Sequence, residues 1–341
     1  MRAVRRLSIA ALVVACLHLV FGAIVRITGS GMGCGNHWPK CYGYWFPPFS
    51  RPDLVVEVSH RYLASILVFT VCSMALAAYL NRDKAGIGGR GGALRSALGA
   101  VAAVFAAAIL GGVTVKFANA PWATVAHWLV AMTLLAMVAT TGVRAGLLGG
   151  TSASSQRGTA RAWRSARGAA VLAIFAVAMG GLTAKYPGAP VACTTIPTCG
   201  RNETVATAAV WVQMTHRTIA VLLLLHLVGM VMMLRKRRDD EARIVRRAAG
   251  IALGMVVLQL CLASAMILLH LPKVLRSLHE ATGVGIWLSC FLLAYLARKT
   301  SLNGATAEKQ VLRPLRGHQD DEIHVRGHQG DAAMGELPAR S

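Results

Sequence analysis

The sequence predicts an all-α polytopic membrane protein in which eight transmembrane helices form two pseudo-symmetric four-helix bundles. Of its 341 residues 55% are hydrophobic and only 15% are charged, and the mean hydropathy is +0.53. A soluble domain of this size does not need so much apolar surface. The apolar residues form runs of about 20, the length that crosses a bilayer as a helix. A second observation, a repeated pattern of cysteines and histidines, divides the chain into halves.

The apolar runs place the eight spans at 7–27, 56–80, 94–115, 122–147, 166–184, 205–234, 246–269 and 275–298. The first run is long and no small-residue cleavage site follows it, so we interpret it as a span and not as a signal peptide. A stretch rich in Gly, Ser and Arg separates the halves. The predicted domains are an N-terminal half, a cytoplasmic linker, a C-terminal half and a disordered cytoplasmic tail without apolar periodicity, at 1–147, 148–165, 166–299 and 300–341.

The basic residues predict the orientation in the membrane. The formal net charge is +22, and 26 of the 36 Lys and Arg residues fall on one side of the predicted spans. The positive-inside rule therefore places both termini in the cytoplasm and the two-cysteine loops at the outer face. Because the charges lie in short loops and not in a basic domain, they indicate contact with the lipid bilayer and not with nucleic acid.

The two halves are related by an internal repeat. Cys34, Cys41, His60 and His127 recur as Cys193, Cys199, His216 and His279, at offsets of 159, 158, 156 and 152 residues. Each half has four spans, an even number, so both halves cross the membrane in the same orientation. This predicts a parallel repeat about an axis along the membrane normal.

The four repeated histidines are the candidate ligands. Each lies near the outer end of an even-numbered span, and the second and fourth helices of a four-helix bundle can face each other across its core. We therefore expect His60 to face His127 and His216 to face His279. Two facing imidazoles are typical of the axial ligands of heme iron. Zinc is the competing metal, but it needs three or four ligands, and no nearby set of cysteines or carboxylates completes such a site.

Four arginines near the outer ends of spans are candidates for binding heme propionates: Arg26, Arg61, Arg217 and Arg276. The alternative is that their side chains only extend to the membrane interface. Three further histidines lie outside the paired set, and we predict packing or interface roles for His18, His226 and His270.

The cysteine loops face an oxidising compartment, so the sequence predicts disulfides Cys34–Cys41 and Cys193–Cys199. Neither loop contains a Cys-x-x-Cys redox motif, which favours structural bridges.

One position distinguishes the halves chemically. Glu57 precedes His60 by three residues and shares its helical face, whereas the second half has Gln213 before His216. Because glutamine does not exchange protons at neutral pH, the first half is interpreted as reactive and the second as a fixed cofactor site. The alternative is that Glu57 only pairs with an outer arginine such as Arg61.

Several segments of the chain closely resemble the heme A synthase family, in its bacterial type with both cysteine pairs. The segments are Arg26–Cys34, Trp38–Cys41, Glu57–Arg61, Leu110–Val115, Ala126–Trp128 and Thr215–Arg217. The resemblance covers 7–298 and not the tail. It implies an oxidoreductase that converts the C8 methyl group of heme O to a formyl group by successive hydroxylations, with Glu57 as a catalytic residue.

The resemblance also implies the ligands and partners. His60 and His127 would hold the substrate heme O, and His216 and His279 would hold a permanent heme b. Heme O synthase is the expected supplier of substrate, and a homo-oligomer is possible. Without an Arg/Ser-rich transit peptide before the first span, we expect a bacterial plasma membrane and not a mitochondrion.

Two other functions fit parts of the pattern. A diheme b-type cytochrome for electron transfer would need the four histidines but not Glu57. A membrane thiol oxidoreductase would use the outer cysteines and not the histidines.

Overall fold

The protein is built almost wholly of long helices. The computed structural model describes residues 1–149, 156–237, 239 and 241–331, with side chains as far as 306. Eight helices of this described part are long and apolar enough to span a membrane, which confirms the predicted fold class. Helices α1 to α8 are Arg2–Ile27, Pro52–Leu80, Ala93–Lys116, Pro121–Arg144, Ala160–Lys185, Thr207–Lys236, Arg243–Leu268 and Lys273–Asp331.

The helix ends have local causes in the sequence. A proline occupies the first turn of both α2 and α4, where its missing N–H would be unpaired in any residue. Helix α5 begins after Thr159, whose hydroxyl accepts a hydrogen bond from the backbone N–H of Ala162 at 3.1 Å. Between the ends, helix formation satisfies every backbone hydrogen-bonding group internally, as the hydrocarbon core requires. The helices therefore match the predicted spans to within a few residues at most ends.

The helices of each half pack as a closed ring of four. Helices α1 to α4 each contact the next, and α4 returns to α1; α5 to α8 repeat this arrangement. Buried alanines occupy the helix contacts of both rings, among them Ala15, Ala97 and Ala100 in the first and Ala166 and Ala249 in the second. Small side chains let helix backbones approach closely in a membrane, where packing drives association. The second and fourth helices of each half consequently lie on a diagonal of the ring.

The two halves meet along α1 and α4 on one side and α5 and α8 on the other. The indole N–H of Trp287 in α8 donates to the carbonyl oxygen of Met132 in α4 at 2.9 Å. Gly181 of α5 lies so close to Trp128 of α4 that a Cβ at this glycine would stand 2.8 Å from the indole ring. Since Trp128 follows His127 directly, this contact brings the histidine-bearing regions of the two halves together.

The last helix differs from the sequence-based prediction. The sequence predicts a disordered tail from residue 300, whereas the helix continues to Asp331; residues 332–341 lie outside the described part. Once a helix exists, each added residue gains a hydrogen bond without a new nucleation cost. Residues of the linker also contact the first part of this extension. The Gly158 N–H donates to the Thr300 carbonyl at 3.1 Å, and the Asn303 amide donates to the Gln156 carbonyl at 3.3 Å.

Candidate functional site

The second half contains the more complete site. His216 of α6 and His279 of α8 face each other, with ring centres 6.5 Å apart and ring planes at 82°. Bonds from imidazole nitrogen to a metal are about 2.0–2.1 Å long. Two rings that bind one iron from opposite sides therefore have centres roughly 6 Å apart. The observed separation fits a pair of axial ligands on one metal.

Both rings are held by neighbouring helices and keep one free nitrogen. His216 packs against α5, where a Cβ at Gly180 would lie 3.0 Å from its Cε1 atom. The Nε2 atom of His279 lies 3.2 Å from the amide nitrogen of Gln259. The Nδ1 atoms of both histidines are buried and have no hydrogen-bond partner among the described residues. Buried polar atoms are normally satisfied, so these nitrogens are suited to bind a ligand that is not part of the chain.

A cavity of about 330 Å³ is lined by both histidines. This volume lies within the roughly 300–1,000 Å³ typical of small-molecule sites. Most of its wall is aliphatic, from residues such as Val177, Val221, Leu223, Val256 and Leu260. Three arginines also line it: Arg26, Arg217 and Arg276. An apolar cavity with two opposed imidazoles and several cations fits a flat metal macrocycle that carries acidic groups.

The first half contributes directly to this cavity. Arg26 of α1 forms an ion pair with Glu280 of α8, the residue after His279, and their side chains are only 12% and 15% exposed. The Arg26 guanidinium also lies 6.0 Å from the centre of the Trp128 ring. The sequence names Arg26 as a candidate but contains no signal for its partner, because the two residues come from opposite ends of the chain.

The arginines that follow the α2 and α6 histidines bind the cysteine loops. Arg61 donates to the His37 carbonyl at 2.8 Å, and Arg217 donates to the carbonyls of Thr195 at 2.8 Å and Cys193 at 3.3 Å. Arg217 lines the cavity as well. Each of these two arginines therefore fixes a loop over the histidine-bearing end of its own bundle.

The loops themselves are closed by the two predicted cysteine pairs. The structure joins Cys34 to Cys41 and Cys193 to Cys199, with Cα–Cα distances of 5.0 and 4.7 Å. Cys34 and Cys41 are fully buried and pack against Leu54 and Val58 of α2. The first bridge is therefore part of the packing between the loop and the helix that carries Glu57 and His60.

Glu57 and Gln213 share a structural role that the sequence analysis missed. The Glu57 Oε2 atom accepts the Cys34 N–H at 2.7 Å, and the Gln213 Oε1 atom accepts the Cys193 N–H at 2.6 Å. The other Glu57 oxygen accepts from the Arg61 guanidinium at 2.5 Å. Both residues thus anchor a cysteine loop, and the halves differ in the charge of the anchor and in its arginine partner.

The first half places three histidines together. The ring of His18 stacks on that of His60, with centres 4.3 Å apart and planes at 10°. His127 lies near enough for its charge to interact with that of His60, and its Nδ1 atom lies 2.9 Å from the Ala107 carbonyl oxygen. The sequence predicts His18 to be a packing residue, and only its position on α1 brings it into this cluster.

Zinc ligation finds no support in these groupings. Over the described residues, no set of three or more His, Cys, Asp or Glu side chains is placed to hold a metal ion. The facing pair His216 and His279 therefore remains the best-supported set of candidate ligands, and His60 and His127 remain candidates in the first half.

The fold and these sites define a polytopic membrane protein with duplicated histidine sites. The family model of the COX15-CtaA cytochrome oxidase assembly proteins matches residues 5–55 and 49–291. The match covers most of the chain and ends within the eighth span, so the protein belongs to this family.

Curated relatives named heme A synthase show two kinds of match. The protein of Geobacillus thermodenitrificans is 51% identical over 57 residues, which cover 16% of this chain and 18% of that protein. The protein of Bacillus cereus is 25% identical over 308 residues, covering 85% and 92%. That of Lysinibacillus sphaericus is 24% identical over 302 residues, covering 85% and 94%. The chain therefore spans under a fifth of the first relative at high identity and nearly all of the other two at lower identity.

Proposed function

We propose that this protein is a heme A synthase, an oxidoreductase that converts the C8 methyl group of heme O to a formyl group. The observation that carries the proposal is the opposed pair His216 and His279 across an apolar, arginine-lined cavity. Family membership and the long matches to proteins named heme A synthase support the assignment of this reaction. The residues present fit heme and not a smaller metal site.

Heme b is the proposed resident cofactor of the second half. His216 and His279 would supply its axial nitrogens, and Arg26, Arg217 and Arg276 are placed to bind its propionates. When bound, such a heme supplies one-electron redox chemistry. The aliphatic wall limits the access of water to this site, and Gln259 fixes the His279 imidazole. The electron acceptor beyond the protein is outside this proposal.

Heme O is the proposed ligand of the first half. His60 and His127 would bind its iron, and Arg61 is the propionate candidate on this side. Two successive hydroxylations of the methyl group, each adding the oxygen of a water molecule and releasing two electrons and two protons, would give a geminal diol, which loses water to leave the aldehyde. The four electrons would pass to an electron acceptor outside the protein. Loss of electrons from the methyl carbon builds positive charge beside the macrocycle.

Glu57 is the proposed catalytic residue for this reaction. Its carboxylate lies one helical turn from His60 and is buried, with 4% exposure. The Cys34 N–H and Arg61 fix both oxygens, and each oxygen keeps a further lone pair. From this fixed position the carboxylate stabilises the developing charge or takes the proton released at the carbon.

The remaining assignments complete the proposal. The N-terminal half 1–147 holds the substrate and the C-terminal half 166–299 holds heme b, joined by the cytoplasmic linker 148–165 and followed by the cytoplasmic segment 300–341. The protein would lie in a bacterial plasma membrane with both termini inside, where the bias in Lys and Arg places them. Heme O synthase is the proposed supplier of substrate. We also propose that the protein associates into a homo-oligomer.

An electron-transfer cytochrome is the second candidate function. The observation that favours it is the hydrogen bonding of Glu57, which serves the loop in the same way as Gln213. Thiol exchange with other proteins has less support, because Cys34 and Cys41 are fully buried.

Co-expression with heme O synthase separates these functions. Hemes are extracted from membranes and separated by chromatography, with a His60→Ala variant as the control that removes a substrate ligand. A heme A synthase converts heme O to heme A in the wild type and not in the control. A membrane that contains only heme O and heme b, despite well-folded protein, would support the electron-transfer function.

A further inference from the structure

The four paired histidines are not held in the same way. His127 and His279 each have a hydrogen bond at a ring nitrogen, to the Ala107 carbonyl and to the Gln259 amide. No such bond is found for the His60 ring among the described residues, and its Nδ1 atom is buried without a partner.

One face of α1 holds the His60 ring by packing alone. His18 stacks on it at 4.3 Å and 10°, and Phe21 lies nearly parallel to it at 6.2 Å and 13°. A Cβ at Gly22 would stand 3.2 Å from the His60 Cε1 atom. These three residues are spaced i, i+3 and i+4, so they form a single helical surface. The surface fixes the plane of the ring but does not bond to either nitrogen.

The repeat shows that the stacked ring is particular to the first half. An offset of 158 residues carries Gly22 onto Gly180, which lies equally close to His216. The same offset carries His18 onto Ala176, whose methyl side chain cannot stack on a ring. The first half therefore has an aromatic contact on its α2 histidine that the second half lacks at the equivalent position.

We propose that His18 is a positioning residue that orients His60 by ring stacking and so keeps the His60 ring in place to bind a heme in the first half. The inference rests on the proposed function, in which His60 is a ligand of heme O. Residues that orient a ligating histidine typically change metal affinity about 10- to 100-fold when they are mutated. Loss of a single stacked ring should have a smaller effect in the same direction.

The test measures the release of a heme probe from each half of the full-length protein. Protein purified with its second-half heme is loaded with ferric protoporphyrin IX, and an excess of apomyoglobin then captures the released heme. The signal of the first half is the low-spin absorbance that a His60→Ala variant lacks. We expect His18→Ala to speed release from the first half about three- to tenfold, because an aromatic pair is lost. His18→Phe keeps the stacking and should release within about twofold of the wild type.

Retention of the second-half heme is the internal control, because His18 does not line that cavity. His18→Tyr replaces His18→Phe if the latter loses this heme, and His18→Gln, polar but not aromatic, should behave as His18→Ala does. Equal release from the wild type and His18→Ala would overturn the proposal. Release from the aromatic variant as fast as from His18→Ala would also overturn it, because the nitrogen and not the stacking would then be the active feature.

Failure of the proposed function gives a different result. Wild-type protein that shows no low-spin signal dependent on His60 has no heme site in its first half. That outcome removes the substrate site and, with it, the role of His18. A signal that depends on His60 but not on His18 contradicts only the inference about His18.

Discussion

The two halves share a scaffold and differ at the points where chemistry is expected. In both, an acceptor side chain on the second helix binds the N–H of the first loop cysteine, and the arginine four residues later binds loop carbonyls. In the first half the acceptor is the charged Glu57, paired with Arg61. In the second half it is the neutral Gln213, and Arg217 contacts only the loop and the cavity. The duplication therefore preserves the support of the two cysteine loops. The halves differ in the charge of the side chain that anchors each loop.

The halves also differ in the contacts of their histidines. His279 is hydrogen-bonded to Gln259, and it lines a defined cavity together with His216. The His60 ring is instead stacked on that of His18. Equivalent histidines of the repeat therefore have different surroundings.

The largest expected effect comes from removing a proposed heme ligand of the second half. His216→Ala or His279→Ala should abolish the low-spin b-type absorption spectrum of the purified protein, because each change removes one axial ligand. His270→Asn is the matched control: His270 is exposed in a loop with φ of 58°, a backbone conformation that asparagine tolerates. A normal spectrum in both alanine variants would contradict the assignment of heme b to this half.

The next effect tests the link between the halves. Glu280→Gln should leave Arg26 without its partner in a largely buried site, and breaking a buried pair typically costs about 3–5 kcal/mol. Thermal unfolding in detergent should show a lower Tm and a reduced heme b content. The double variant Arg26→Gln with Glu280→Gln should recover part of the loss. If Glu280→Gln unfolds like the wild type, the ion pair contributes nothing to the junction.

Removal of the cysteine bridges should have a moderate effect. Cys34→Ser with Cys41→Ser should lower stability by about 2–4 kcal/mol, the typical contribution of a disulfide. The corresponding change at Cys193 and Cys199 should cost a similar amount. Peptide mass spectrometry of aerobically isolated protein, alkylated without reductant, should find both pairs bridged. Free thiols at all four positions would contradict the pairing and the placement of these loops outside the cell.

The smallest effect concerns the segment beyond the bundles. Removal of 307–341 keeps Thr300 and Asn303, which contact the linker. Heme content and heme A yield should therefore stay near those of the full chain. A truncated protein that inserts and keeps heme b but makes no heme A would show that the segment takes part in the reaction.

The parts of the structure that a sequence predicts well are those that the bilayer dictates. Span length follows from membrane thickness, and a repeat with an even number of spans places equivalent residues at one face. The eight helices and the facing of His216 and His279 follow from these constraints. The stacking of His18 and the pairing of Arg26 with Glu280 do not, because they depend on how each helix is rotated about its axis. That rotation is set by packing against neighbouring helices, which sequence periodicity does not show in helices that are apolar all round.

Glu57 illustrates the same limit. Its spacing from His60 predicts the shared face, but the bond to the Cys34 N–H comes from a loop whose path depends on the disulfide and on Gly and Pro turns. The structure thereby sharpens the main alternative, in which Glu57 only supports the loop and pairs with Arg61.

The heme A yield of Glu57→Gln tests the central claim most directly. Glutamine at this position should still accept the Cys34 N–H, as Gln213 does in the second half, so the loop and the second-half heme should persist. If the charge of Glu57 serves the reaction, heme A should fall by about 10²–10⁴ in rate, and heme O or a hydroxylated intermediate should accumulate. Asp53→Asn is the control, because it also removes a carboxylate charge from α2, but at an exposed position paired with Arg51. The account predicts much less heme A from Glu57→Gln than from Asp53→Asn, and equal, near wild-type yields from both would contradict it.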